Sequence, residues 1–402
     1  MPTAPPASAA PAKDRLTPID ALRGLALLGV LWVNLVTEFR VSLFAQFLGA
    51  PPASLVERAA SSFVSLALEG KAIALFSMLF GLGLAMQVER LPPGIRPRVW
   101  LCRRLLALLG LGLVHLLFIW NGDILVAYAI VGLLVVPMLD LPPRSLFAIA
   151  AALLVVFATL PWLPLPVGLA GPEDLAAHVA QADRVYRAGS FGEVWQFEYA
   201  ELPWLLPLHL YILPRTMALF LIGALAWRTG FVRRALARPQ TLVALGFTAS
   251  LLGGLLTAAG SGSLAPSLAG LEPVAASLAA PILAIGYGCL ALAVFSRHAG
   301  SALVGFIASV GRMAFTNYVL QSAILSLLFF GYGLGLYGRT SVVQGLGIGA
   351  AIYALQAWFS RWWLRRYLFG PLEWCWRSLT YSMRQPMLAL RSARPVTTTP
   401  PA

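Results

Sequence analysis

About ten apolar runs, at 21 to 39, 71 to 89, 99 to 120, 122 to 139, 144 to 163, 204 to 227, 238 to 258, 273 to 296, 303 to 330 and 341 to 364, alternate with short polar links along the chain. Each is long enough to cross roughly 30 Å of hydrocarbon as a helix. In that medium every backbone donor and acceptor has to be satisfied inside the segment, which leaves the α-helix as the spanning element for runs of this length. The expectation is therefore an all-α, polytopic transmembrane helix bundle of about ten helices. Composition agrees: 59% of residues are hydrophobic, 11% are charged and the mean hydropathy is +0.79, which excludes an ordinary water-soluble fold.

The formal net charge of +13 sits in short clusters between apolar runs, where it reports topology and anionic lipid and implies no nucleic-acid partner. Basic links alternate: Lys13 and Arg15, then Arg90 to Arg104, Arg144, Arg228 to Arg238, Arg297 and the C-terminal tail, with neutral or acidic links between them. That pattern predicts both termini on the cytoplasmic side. The first run could pass for a cleaved signal peptide, but Asp20 and Arg23 at its mouth and the spans that follow make it a first transmembrane helix. Residues 1–12 read as a flexible tail, 13–366 as the bundle, and 367–402 as a cytoplasmic amphipathic tail that becomes disordered from about 385. The acidic 164–202 segment is expected to form an outer-face cap with helices around 173–188 and 191–201. The piece at 55–68 fits an interfacial or a re-entrant helix. Cys102, Cys289 and Cys375 have neither disulfide nor zinc spacing.

Chemistry concentrates between Arg103 and Asp123. Eleven helical steps from Arg104 to His115 make about three turns, so the two side chains share a face roughly 16 Å apart. A histidine inside the bilayer is either interhelical packing or a titratable group with work to do. Asp123, past the Asn121-Gly122 break, could orient and charge the imidazole or could cap the following helix; Glu69 is the alternative carboxylate. Asp20, Arg23, Arg104 and Arg312 lie at one depth, where arginines facing the bundle interior can hold phosphates bidentately. Asp20 and Arg23, three residues apart, could also simply pair with each other.

Further polar residues are candidates for lining a cavity: Lys71, His209, Arg215, Asn317 and Gln321. Arg215, at mid-depth after Pro214, needs a partner or a watery cavity. Arg312 with Thr316 and Asn317 with Gln321 are spaced i, i+4 on one expected helix, a stripe that interhelical hydrogen bonding also explains. Glu38 ends the first helix on the outer side. Gly331, Gly333, Gly335 and Gly338 lack the lysine and hydroxyl of a phosphate loop. His178 and His298 read as loop residues without ligand-spaced companions, so no metal site is expected.

The chain resembles the YeiB-like family of bacterial membrane proteins, whose C-terminal region is a domain of unknown function. The resemblance rests on RLTPIDALRG from Arg15, Glu69-Gly70-Lys71, Gly122-Asp123-Ile124-Leu125, GRMAFTNYVLQS from Gly311, GYGLGLYG from Gly331, SRWWLRR from Ser360 and FGPLEWCWRSLTY from Phe369. It implies a multi-pass protein of the bacterial inner membrane. In Asp20, Arg23 and Gly24, and in Arg104 with His115, the chain is also similar to the wider transmembrane acyltransferases. Acyltransferase-3 proteins usually carry a histidine late in the first helix, where this chain has Leu31-Trp32-Val33-Asn34. The wider resemblance implies transfer of an acyl group from cytoplasmic acyl-CoA to a glycan, lipid-linked or other envelope acceptor, with His115 as general base and no metal. A transporter or flippase for an anionic or lipid-linked substrate is the alternative, and a non-catalytic scaffold or sensor a third. The sequence leaves the oligomeric state open.

Overall fold

A computed structural model describes residues 16–49, 54–163, 171–262 and 270–388. Among them no β-strand occurs, only one isolated bridge between Tyr367 and Leu388. The 1–12 tail, the entry to the cap at 164–170 and the end of the chain from 389 lie outside the described residues.

All ten apolar runs carry helix, and among the described residues eight helices are long and apolar enough to span a membrane, or nine if a bent pair counts as one span. These contain α1 (Thr17–Asn34), α3 (Lys71–Glu89), α4 (Pro97–Phe118), α6 (Pro143–Thr159), α8 (Phe191–Arg228), α10 (Pro239–Gly260), α11 (Glu272–Arg297) and α14 (Val342–Trp363). The other two runs differ from ten continuous spans. The 122–139 run gives only α5 (Leu125–Val135) and a 3₁₀ turn, Val136–Asp140, because Asn121-Gly122 delays its start and Pro137 tightens its end. The 303–330 run breaks at Met313 into α12 (Ala302–Arg312) and α13 (Ala314–Phe329), bent by 80°. The structure is that of a multi-pass, all-α membrane protein.

Among the described residues three shorter helices lie between spans, one of them α9 (Phe231–Ala237). The 55–68 piece is α2 (Leu55–Phe63) followed by a π turn, Val64–Leu68, and joins α3 through Glu69-Gly70. No residue of α2 is buried, yet Glu57 accepts the Val342 N–H at 2.9 Å and caps α14. The third is α7 (Pro172–Ala188), which packs against the 3₁₀ turn Leu43–Leu48 and α8. The second cap helix expected at 191–201 is not separate: it is the start of α8, whose 38 residues extend about 57 Å, well beyond the hydrocarbon. A Ser190–Glu193 capping box starts α8 out in the cap, and Pro203, Pro207 and Pro214 are accommodated within it.

The helix pair that matters for the site is α1 with α12. A Cβ on Gly24 would stand 2.2 Å from the Ile307 carbonyl oxygen, and one on Gly311 would stand 1.9 Å from that of Asp20. The two backbones touch because neither position carries a side chain, a close approach that small residues permit in membranes. This contact brings Arg23, one residue before Gly24, beside Arg312, one residue after Gly311. Gly24→Ala or Gly311→Ala should therefore cost about 1–3 kcal/mol by overpacking, read as a lower melting temperature in detergent. Gly254→Ala, where an added Cβ meets nothing within 4 Å, should leave the melt unchanged.

Candidate functional site

Breaking a helix inside a bundle exposes backbone donors that need new acceptors. At Met313 these come from α15 (Pro371–Tyr381), which follows the last span. Glu373 Oε1 accepts the N–H groups of Phe315 at 2.8 Å and Thr316 at 3.1 Å, while Oε2 accepts the Thr316 hydroxyl at 2.6 Å. Burial pushes the Glu373 carboxyl up from the usual range, and the Thr316 hydroxyl and the backbone donors hold it down. One helical turn along α15, Trp376 lies over the Arg104 guanidinium, 3.6 Å from ring centroid to Cζ, and its indole N–H donates to the Arg104 carbonyl at 2.7 Å.

Beneath α15 is a cavity of about 250 Å³ whose lining includes Arg23, Arg104, Arg312, Gln87, Tyr318 and Glu373. A second cavity, of about 240 Å³, shares Arg23 and Arg312 and adds Asp20, Arg90 and Arg377. The four residues expected at one depth, Asp20, Arg23, Arg104 and Arg312, thus meet around two adjoining cavities. Asp20 bonds Arg23 at 3.0 Å and also faces the second cavity. Several guanidinium groups around one opening suit an anionic ligand, phosphate above all.

His115 and Asp123 are 1% and 2% exposed. The imidazole Nδ1 stands 2.8 Å from Asp123 Oδ1, and Asp123 Oδ2 accepts the Val126 N–H at 2.7 Å. The two roles open for Asp123 are both filled, one by each oxygen. With Nδ1 directed at the carboxylate, Nε2 is buried without a hydrogen-bond partner among the described residues. The Tyr318 ring lies 5.3 Å from the imidazole, centroid to centroid, and the same tyrosine lines the arginine cavity. Its hydroxyl meets the Ile124 N–H at 3.3 Å and donates to the Gly122 carbonyl at 3.4 Å. Tyr318 is thus the wall shared by the imidazole and the cavity; His115 itself does not line it.

Other expected site residues lie elsewhere. Glu69 makes no bond to His115, whose carboxylate partner is Asp123; it is half-buried beside Lys71, with Gly70 between them at φ +73°. Lys71 lines neither arginine cavity; its ammonium donates to the Ser65 carbonyl at 2.9 Å across the π turn. The His209 Nδ1 lies 2.9 Å from the Leu205 carbonyl on its own helix. Arg215 rests 5.4 Å from the Phe157 ring centroid, between Tyr128 and Tyr211. Asn317 and Gln321 do not bond each other: they reach Ser360 and Gln356 of α14 at 2.9 and 2.8 Å, which is interhelical packing. The break at Met313 also removes the i, i+4 relation of Arg312 to Thr316.

Several residues escaped the sequence reading. Tyr318, Glu373 and Trp376 stand in the quoted GRMAFTNYVLQS and FGPLEWCWRSLTY stretches, and Glu373 is a lone carboxylate among aromatics, a signal that could have marked it. His178, read as a loop residue without companions, is buried on α7, 2.8 Å from Glu201 Oε1; the two elements are 23 residues apart, and nothing in local spacing shows it. Because Glu373 supplies three bonds to one helix start, Glu373→Ala should lower stability by roughly 1–2 kcal/mol. Glu373→Gln, which keeps one acceptor oxygen, should cost less, and melting of the purified variants checks the order.

The family described as "Protein of unknown function (DUF418)" matches residues 226–383, which contain α9 to α15. The uncharacterized protein YxaH of Bacillus subtilis (strain 168) is 31% identical over 93% of this chain and 96% of its own length. The uncharacterized protein YeiB of Escherichia coli (strain K12) is 31% identical over 94% of this chain and 100% of its own. No solved structure matches. Similarity that runs from the first helix through the arginine cavity to α15 at this identity means that the chain belongs to the YeiB-like family.

Proposed function

We propose that the protein is an acyltransferase of the bacterial inner membrane, moving an acyl group from cytoplasmic acyl-CoA to a glycan, lipid-linked or other envelope acceptor. The observation that carries this reading is the His115–Asp123 pair at 2.8 Å, with Nε2 unpartnered and the imidazole against Tyr318, which also lines a cavity with three arginines. A carboxylate on Nδ1 fixes the tautomer that leaves Nε2 free to accept a proton and stabilises the imidazolium that follows. The arginines take the phosphates of the donor, and Arg104 lies about 16 Å from His115 along α4, roughly the reach of a pantetheine arm. Tyr318 has to turn aside for the thioester to meet the acceptor beside Nε2. The acceptor gives its proton to His115, its oxygen or nitrogen attacks the thioester carbonyl, and the leaving thiolate recovers the proton. Neither step needs a metal.

Purified protein incubated with radiolabelled acyl-CoA and candidate acceptors tests the reading directly. His115→Gln keeps a hydrogen-bonding group toward Asp123 and should melt near the wild-type temperature while losing roughly 10²-fold or more in rate. Arg104→Ala should chiefly raise KM for the donor. A fully active His115→Gln variant would remove the mechanism, and the absence of both transfer and thioester hydrolysis would remove the function.

A further inference from the structure

The arginine cavity is not polar throughout, and α3 supplies most of its apolar wall. Phe76, Leu79, Phe80, Gly83, Leu84 and Gln87 line it at the three- and four-residue spacing of one helix face, a stripe roughly 16 Å long. All but Gln87 are apolar. Gln87 Oε1 is buried with no hydrogen-bond partner among the described residues, and Arg104 Nε in the same lining is also buried without one. Other polar groups of this lining are engaged. The Tyr128 hydroxyl lies 2.7 Å from Ser77 Oγ, the Tyr318 hydroxyl meets the Ile124 N–H and the Gly122 carbonyl, and Glu373 holds the start of α13.

One turn before Gln87, Gly83 leaves space in the wall. A Cβ there would meet only Gln87 Nε2, at 3.8 Å, whereas one on Gly81 would stand 2.0 Å from the Phe220 carbonyl oxygen. Gly81 thus lets α8 close on α3, and Gly83 keeps room in the cavity. A buried acceptor left unpaired is costly, so a group that enters beside Gln87 should bring a donor to it. Arg23 and Arg312 line both this cavity and the adjoining one, so an anionic group held by the two stands at the junction, while Gln87 lines the first cavity alone. A ligand whose phosphates rest at the junction therefore extends past Gln87 and Gly83 on the side that Tyr318 closes. A plain hydrocarbon chain would suit the apolar stripe and leave Gln87 unpaired. An arm that carries secondary amides within an otherwise apolar chain satisfies both.

We propose that Gln87 accepts an amide N–H of a pantetheine arm and that Gly83 makes the room for that arm. The cavity then selects pantetheine thioesters over acyl phosphates and fatty acids, an assignment that rests on the acyl-transfer reading. Gln87 acts in binding alone: it takes no proton, and the thioester passes it unchanged.

Isothermal titration of the purified full-length protein in detergent, without acceptor, tests the site. CoA is compared with adenosine bisphosphate, the nucleotide part of CoA without its arm. The wild type should bind CoA the more tightly. Gln87→Leu, which keeps bulk and removes the acceptor, should weaken CoA about tenfold and leave the bisphosphate unchanged. Gly83→Leu, which fills the space, should also weaken CoA and spare the bisphosphate, and the retained bisphosphate affinity reports that the variants are folded. Undiminished CoA binding in Gln87→Leu, or an equal loss of both ligands in the two variants, would overturn the proposal and leave the acyl-transfer reading in place. CoA binding that depends on Gln87, without transfer to any acceptor and without thioester hydrolysis, would keep the arm site and remove the transfer reading. A wild type that binds neither ligand would remove both.

Discussion

The bend at Met313 is the constraint on which most of the site depends. A helix interrupted by 80° within a membrane bundle leaves peptide donors that lipid cannot satisfy, and the acceptor has to come from another part of the chain. Glu373 supplies it from a helix that begins after the last span, and so fixes α15 across the opening of the bundle. Trp376 then falls onto Arg104, and the cavity gains its outer wall. The bend also turns α13 so that Tyr318 stands next to the imidazole, although the sequence separates them by about two hundred residues. One interrupted hydrogen-bond ladder thus places the last short helix, the arginine cavity and the aromatic partner of His115.

Much of the architecture was legible because membrane spans are declared by run length and by charge at their ends, both local properties. The Arg104-to-His115 relation was legible for the same reason, since two residues on one regular helix keep a fixed separation. The Met313 break was not. No proline or glycine pair interrupts the run at that point, and the acceptor that makes the bend tolerable lies 60 residues away, at Glu373. Of the two carboxylates open to the imidazole, Asp123 is the one bonded to it, which needs the chain to turn back past Asn121-Gly122. The acidic residues of the cap were visible as composition, but the meeting of Glu201 with Asn121 and His178 needed α8 to run unbroken from the cap into the bundle, which three prolines argued against.

The charged groups divide by how their burial is compensated. Arg23 has Asp20; Arg104 has aromatic faces on two sides, Trp376 and Trp100; Arg215 has Phe157 and two nearby phenols. Aromatic faces hold a guanidinium without neutralising it, so positive potential at the cavity survives the burial. On the cap side, Glu201 is held by an asparagine and a tyrosine on one oxygen and faces His178 with the other.

Asp123 binds with both oxygens, one to the His115 ring and one to the first-turn N–H of α5 at Val126. The aim of the imidazole is therefore set by a helix and not by a side-chain rotamer. The ring cannot tilt by much unless α5 loosens its first turn, and a rigid-body shift of α5 would carry the ring's anchor with it. Positional accuracy at the histidine is a mechanical property of the α4–α5 junction, and packing changes remote from the site that slacken this junction would blur the ring's orientation without touching it.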